Sequence, residues 1–150
     1  MKTIYKLLAV VITISSYGLA GCQQKSKPHD QGGVGVDTRV SPPAAGTYAD
    51  VEAAQFATLL SDPQMVLLDV RTPEEVAAGK IREDALVIDY LDESHFEESI
   101  GQLDKNKTYL VYCRSGKRSA GACEAMAAKG MKAYNLKGGY LAWQNFKAKQ

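Results

Sequence analysis

Apolar segments that alternate with helical patterns constrain the fold of this chain more than any other sequence feature. The apolar segments are Met65–Val70, Ala85–Ile88, Tyr109–Tyr112 and Met131–Leu136. The first of them is apolar along nearly its whole length, which is typical of a strand buried on both faces. Because helical patterns separate the strands, the sequence predicts an α/β fold with a central parallel sheet and helices on both faces.

Helix start and stop signals lie between these strands. Asp50 is in position to cap a helix over Val51–Leu60. Thr72, Pro73 and Glu75 have the spacing of a capping box with proline at the first helical position, and Gly79 can end that short helix. Three further helices are predicted at Glu93–Leu103, with Phe96 and Ile100 inward, at Lys117–Lys129, ended by Gly130, and at Tyr140–Phe146.

The first 21 residues have the composition of an export signal. Met1–Lys6 is positively charged and Leu7–Ile14 is apolar, and small and polar residues follow. This arrangement predicts a secretory signal peptide over residues 1–21, which is too short to be a typical transmembrane helix. Leu19–Cys22 resembles the lipobox of bacterial lipoproteins.

The lipobox resemblance implies that Cys22 is the lipidated first residue of the mature protein. We therefore expect an exported protein that is anchored to a bacterial membrane on its periplasmic or surface side. Gln23 is compatible with the outer membrane if the cell has two membranes. The alternative is an ordinary signal peptide that a cysteine happens to follow.

The remainder of the chain divides into a tether and one domain. Residues 22–46 are rich in Gly, Pro, Gln and Ser, and they contain almost no large apolar side chain, so we expect a flexible tether. Residues 47–150 are long enough for one core. The full chain carries a formal net charge of +1 without a large basic stripe, so we expect no nucleic-acid partner. The scattered cysteines and the isolated His29 and His95 predict neither a metal site nor a bound cofactor.

The strand that ends at Tyr112 leads into Cys113 and a short cationic loop. Arg114, Lys117 and Arg118 follow the cysteine within five residues, and a helix begins there. A thiolate is the nucleophilic form of cysteine, and cations at a helix N-terminus lower the pKa of a thiol. Backbone N–H groups and positive side chains in such a loop can also hold an anion. The segment therefore predicts a nucleophile beside an anion site.

Four segments of the domain resemble the single-domain rhodaneses, a family of sulfurtransferases. They are Val66–Glu75, Gly79–Ile81, Tyr112–Ser119 and Leu136–Trp143, in matching order and spacing over residues 47–147. The resemblance implies a rhodanese-like fold and a persulfide formed on Cys113. The sulfur donor would be a small anion such as thiosulfate, and the acceptor would be a thiol, a protein or cyanide. One departure is Lys80, where the family commonly has histidine.

The resemblance also suggests roles for individual residues. Cys113 is the catalytic nucleophile, in a cup of amides and cations that we expect to be open to solvent. Asp69 supports the loop with Arg71 as its partner, unless the two form a plain surface ion pair. The loop residues expected to hold the sulfur and the donor are Arg114, Ser115, Gly116, Lys117, Arg118 and Ser119. Cys123 is expected to pack in the core.

Three other functions remain open at this point. A cysteine-loop phosphatase would carry arginine six positions after the cysteine, where this chain has Ser119. A non-catalytic binding module of this family usually lacks the cysteine. A persulfide carrier or thiol-redox protein would use the same Cys113 with another protein as its acceptor.

Overall fold

The structure is a computed structural model that describes residues 40–150. The predicted signal peptide, the lipidation site Cys22 and the tether up to residue 39 lie outside the described residues. Five strands and five helices form the described part of the chain. In chain order they are β1 (Thr47–Val51), α1 (Ala53–Leu60), β2 (Met65–Asp69), α2 (Pro73–Ala77), β3 (Leu86–Val87), α3 (Glu93–Gly101), β4 (Thr108–Tyr112), α4 (Lys117–Ala128), β5 (Lys132–Leu136) and α5 (Gly139–Lys147).

The strands form one sheet in the order β1-β5-β4-β2-β3. All neighbouring strands are parallel, as the alternation of strands and helices predicts. In the register of the central pair, Asp69 at the end of β2 lies opposite Tyr112 at the end of β4. The residues that follow these two strands therefore meet at one edge of the sheet, where ligands bind in open α/β sheets.

Helices cover the sheet on both faces. On one face, Phe96 and Ile100 of α3 and Met126 of α4 pack against alternate strand residues such as Val111. On the other face, Phe56 of α1 packs against Leu110, and the ring of Trp143 on α5 meets Phe56 edge-on at 6.2 Å. The central strands thus bury apolar side chains on both faces, and the predicted α/β fold class is confirmed.

The predicted cap at Asp50 is wrong. Residues Thr47–Val51 form the edge strand β1, which pairs with β5, and the first helix begins only after Glu52. Glu52 is the N-cap residue instead, and it forms a capping box with Gln55. The pairing with β5 overrides the local helix signal, because it buries Val51 against the sheet.

The remaining elements start and end close to their predicted limits. The capping box of Thr72 and Glu75 is present at α2, and Gly130 has the left-handed φ of +86° that ends α4. β3 is shorter than predicted, and its Leu86 and Val87 are each 43% exposed because this strand lies at the sheet edge.

Residues before the predicted domain start contact the domain, since Tyr134 donates a hydrogen bond to the carbonyl of Ser41 at 3.0 Å. Within residues 40–150, no helix is long and apolar enough to span a bilayer.

Candidate active site

Cys113 lies directly after β4, at the edge of the sheet where the central strands end. The chain then turns through Gly116, whose φ of +88° is the tight turn expected at this position. A side chain at Gly116 would also approach the backbone nitrogen of Gly138 to 2.9 Å. Both constraints require glycine here, and they fix how the loop enters α4.

The sulfur of Cys113 is surrounded by hydrogen-bond donors of the loop. The backbone N–H of Gly116 donates to Sγ at 3.1 Å, and the hydroxyl oxygen of Ser119 lies 3.5 Å from Sγ. Burial raises the pKa of the Cys113 thiol. Hydrogen bonds from the hydroxyl and N–H of Ser119, and from the N–H groups of Ser115 and Gly116, outweigh this effect and lower the pKa below its ordinary value. The loop therefore favours the nucleophilic thiolate.

The expectation that Cys113 is open to solvent is wrong. The residue is 0% exposed, although the neighbouring Arg114 and Ser115 are exposed. The N-terminus of α5 holds the loop from behind, since Tyr140 N–H donates to the carbonyl of Cys113 at 2.7 Å and Leu141 N–H donates to that of Arg114 at 3.1 Å. The sulfur thus lies one layer below the surface, among amides as well as apolar side chains. A donor can reach it only if the atoms that cover it move.

The cations of the loop differ in their partners. Arg118 forms a two-pronged ion pair with Glu75 of α2, with nitrogen–oxygen distances of 2.7 and 2.8 Å. The pair lowers the pKa of Glu75 and raises that of Arg118. Arg114 and Lys117 are exposed, and their side chains make no ion pair with any residue in the range 40–150. These two are therefore the cations available to an incoming anion.

Asp69 and Arg71 form a buried ion pair, so the alternative of a plain surface pair is wrong. Their side chains are 0% and 3% exposed, and Arg71 Nη2 lies 2.6 Å from Asp69 Oδ2. Arg71 also donates to the carbonyls of Glu75 and Gly79, and its guanidinium lies 4.3 Å from the ring centre of Tyr140. The pair thereby joins the end of β2 to α2, to the segment after α2 and to α5.

A chain of buried polar groups connects Cys113 to the far edge of the sheet. The Ser119 hydroxyl lies 2.6 Å from Oδ1 of Asn135 on β5, and the amide nitrogen of Asn135 donates to Asp50 Oδ1 at 2.8 Å. Ser119 and Asn135 are buried, whereas Asp50 is exposed. Asn135 was not predicted as a site residue, although a polar side chain between Tyr134 and Leu136 in a buried strand signals a buried group that requires partners.

Glu75, like Asn135, lies near the site but was not predicted as a site residue. It is found in the capping box of α2, but its carboxylate reaches Arg118, 43 positions further along the chain. No sequence pattern signals that pairing. By contrast, Cys123 is fully buried in the core as predicted, and burial raises the pKa of its thiol. Of the two cysteines in the described part of the chain, Cys113 is therefore the one whose surroundings favour a thiolate.

Comparisons with known proteins agree with this geometry. A model of the family described as Rhodanese-like domain matches residues 52–146, which include the whole cysteine loop. The protein of Bacillus subtilis strain 168 named "Putative sulfurtransferase YtwF" is 37% identical over 92 residues, covering 61% of this chain and 85% of that protein. A protein of Allochromatium vinosum named sulfurtransferase is 35% identical over 96 residues, covering 63% and 86%. The crystal structure of a rhodanese-like domain protein from Staphylococcus aureus matches with a TM-score of 0.55 at 31% identity, covering 63% and 90%.

Proposed function

Because the chain belongs to the rhodanese-like domain family, we propose that it is a sulfurtransferase that forms a persulfide on Cys113. The donor is a small anion with a sulfane sulfur, such as thiosulfate. The acceptor is a thiol, on a small molecule or on a protein, and cyanide takes its place in an assay. The observation that carries this proposal is the Cys113 sulfur at the focus of the loop N–H groups, with its pKa lowered.

Two displacement steps at sulfur make up the proposed reaction. The Cys113 thiolate attacks the outer sulfur of thiosulfate, a new S–S bond forms, and the bond between the two thiosulfate sulfurs breaks. Sulfite leaves with the electron pair of that bond, and the negative charge moves to the outer sulfur of the persulfide. The acceptor then attacks this sulfur, and Cys113 is released as a thiolate. Such covalent catalysis gives ping-pong kinetics and needs no external oxidant or reductant.

The loop can support both anionic forms of the cysteine. N–H groups that already point at Sγ stabilise the thiolate, and fixed dipoles need no reorganisation as charge develops. Arg114 and Lys117 are the candidates to attract the donor, because Glu75 already neutralises Arg118. A cysteine-loop phosphatase would use a free arginine at the position of Ser119. The nearest arginine is Arg118, and its ion pair with Glu75 weakens the case for a phosphatase. A persulfide carrier with a protein acceptor uses the same first step and differs only in the second.

Intact-mass measurement tests the first step directly. After reduction and removal of the reductant, thiosulfate should add the mass of one sulfur atom to the full chain, and dithiothreitol should remove it. Cys113→Ala should abolish the gain, while the matched variant Cys123→Ala should keep it, because Cys123 is a core residue. A wild-type chain that gains no sulfur from thiosulfate contradicts the thiosulfate proposal, and unchanged sulfur loading in Cys113→Ala contradicts the assignment of the nucleophile.

The rate of this sulfur loading should depend on pH through the Cys113 thiol. Because the loop lowers the pKa of Cys113, the rate should rise with pH and then level off, and its midpoint should lie below the pKa of a free cysteine. Stopped reactions across a pH series, analysed by mass, give the midpoint. A midpoint at or above the value of free cysteine would show that burial outweighs the loop hydrogen bonds.

A further inference from the structure

The Ser119 hydroxyl has one proton and three acceptors within reach. Asn135 Oδ1 is at 2.6 Å, the carbonyl of Gly116 is at 3.2 Å and Cys113 Sγ is at 3.5 Å. A hydroxyl donates one hydrogen bond and accepts through its lone pairs. The shortest contact therefore takes the proton in the resting state, and Ser119 presents a lone pair to the thiol of Cys113.

Asp50 fixes the orientation of the Asn135 amide. A carboxylate only accepts hydrogen bonds, so the contact of 2.8 Å to Asp50 Oδ1 comes from the NH₂ group of Asn135. The opposite end of the amide, its carbonyl oxygen, must then face Ser119. β1 and β5 hold the two residues side by side, because Asp50 and Asn135 are register partners in the parallel pair.

We propose that Asn135 is a positioning residue that holds the Ser119 proton away from Cys113, with Asp50 as the anchor of its amide. When Sγ becomes a thiolate, the Ser119 hydroxyl rotates to donate to the sulfur. The side-chain oxygen of Asn135, Oδ1, then loses its donor. Asn135 is only 3% exposed, so this loss carries a free-energy cost. When Sγ forms a bond to a second sulfur, the charge on Sγ disappears. The Ser119 hydroxyl then donates its hydrogen bond to Asn135 Oδ1 again.

This inference rests on the proposed role of Cys113 as the nucleophile, but its prediction concerns only the ionisation of the thiol. Replacing Asn135 by leucine removes the competing acceptor at similar volume. The Gly116 carbonyl still competes for the Ser119 hydroxyl, but it also accepts from the N–H of Ala120 at 3.1 Å and loses little when the hydroxyl turns to the thiolate. The titration midpoint of Cys113 should therefore fall by about 0.5 to 1 pH unit. The effect must pass through Ser119, so it should vanish when residue 119 is alanine.

Other charged and titratable groups flank Cys113 or belong to the same core cluster, and the comparison has to leave them unchanged. They are Arg114, Lys117 and Arg118 in the loop and first turn of α4, Cys123 on α4, Tyr48 on β1, Tyr90 after β3 and Tyr109 on β4. None of them is altered in the variants used here. Their contributions are therefore the same in the single and double variants, and they cancel in the comparison.

The experiment is a titration of the thiolate absorbance of the full chain under reducing conditions. Each variant is also titrated with the additional substitution Cys113→Ser. Subtracting this second curve removes the absorbance of the tyrosines and of the other cysteines. The variants are Asn135→Leu, Ser119→Ala and the double variant. The expected result is a lower midpoint for Asn135→Leu and no difference between Ser119→Ala and the double variant. An unchanged or higher midpoint for Asn135→Leu overturns the proposal, and so does a shift that persists without Ser119.

Asp50→Ala provides a second route to the same answer, because Asp50 is exposed and its loss does not open the core. Freeing the amide should lower the midpoint in the presence of Ser119 and have a smaller effect in its absence. Glu124→Gln, which removes another exposed carboxylate beside β1, controls for the loss of charge alone. Equal shifts for Asp50→Ala with and without Ser119 overturn the anchor role. Sulfur loading is measured separately, so failure of this proposal and failure of the sulfurtransferase proposal are distinguishable.

Discussion

At the scale of single residues, the site depends on which charges are already paired. Of the three cations that follow Cys113, Arg118 is held by Glu75, whereas Arg114 and Lys117 face solvent without an ion-pair partner among residues 40–150. The number of cations in the loop sequence is therefore larger than the number of unpaired cations that an anion meets. Glu75 sets that charge from another helix, which makes it a candidate determinant of donor affinity.

Glu75→Gln should strengthen binding of an anionic donor. The freed guanidinium of Arg118 adds one cation at the loop, so KM for thiosulfate should fall about two- to fivefold at low ionic strength, with little change in kcat. Steady-state kinetics with cyanide as acceptor measure both constants. Glu74→Gln is the matched control, because Glu74 is exposed in the same turn without reaching Arg118. An unchanged KM together with a lower kcat would indicate that Glu75 orients Arg118 for the reaction instead.

At the scale of elements, the loop is held by the helix that follows β5. Gly138 and Gly139 have positive φ values of 74° and 58°, and they bring the first N–H groups of α5 against the carbonyls of Cys113 and Arg114. The loop conformation is thus stabilised from behind by α5 and at its own turn by Gly116. The buried pair of Asp69 and Arg71 joins α2 to the same region. These contacts explain how a loop with few apolar side chains is ordered around a sulfur atom.

Gly139→Ala should displace the loop. An alanine Cβ would lie 2.7 Å from the carbonyl carbon of Arg114 and would also overlap the carbonyl oxygen of Cys113. We expect a loss of about 2 kcal/mol in the free energy of unfolding, measured with urea, and slower sulfur loading. Gly101→Ala is the control, because a Cβ there has nothing within 4 Å. A Gly139→Ala variant as stable as wild type would contradict the role of this close approach.

At the scale of the whole molecule, the predicted lipid anchor and tether would keep the domain near a membrane surface. The domain exposes the outer part of the cysteine loop, while Cys113 itself is buried. If the chain is exported, its thiolate meets oxidants, and burial of the sulfur would limit its oxidation. Attachment and sulfur chemistry would then reside in separate parts of one chain.

Cys22→Ser should release the protein from membranes without affecting sulfur loading. Lipidation is predicted at Cys22, and stable attachment requires more than one acyl chain. In a bacterial host, the wild-type chain should enter the detergent phase on phase separation and the variant should remain in the aqueous phase. Gln24→Ala is the control at a neighbouring position. A Cys22→Ser variant that still enters the detergent phase would contradict lipidation at this residue.

The sequence by itself determined the local features of this protein. The alternation of apolar strands with helices predicted a parallel α/β sheet, because buried strands need apolar side chains along their length. The capping box at Thr72, the left-handed turn at Gly130 and the place of Cys113 at the end of β4 were also predicted. Each of these depends on residues that are close along the chain, so each leaves a readable pattern.

Only the tertiary structure decided the contacts between distant segments. The strand at Asp50, the burial of the Asp69–Arg71 pair, the Glu75–Arg118 ion pair and the path from Ser119 to Asn135 all depend on which elements become neighbours. The crossover order of the sheet, β1-β5-β4-β2-β3, sets those neighbours. A polar side chain carries no local mark of a partner 16 to 85 positions away, because hydrogen bonds and ion pairs are selected by proximity in space.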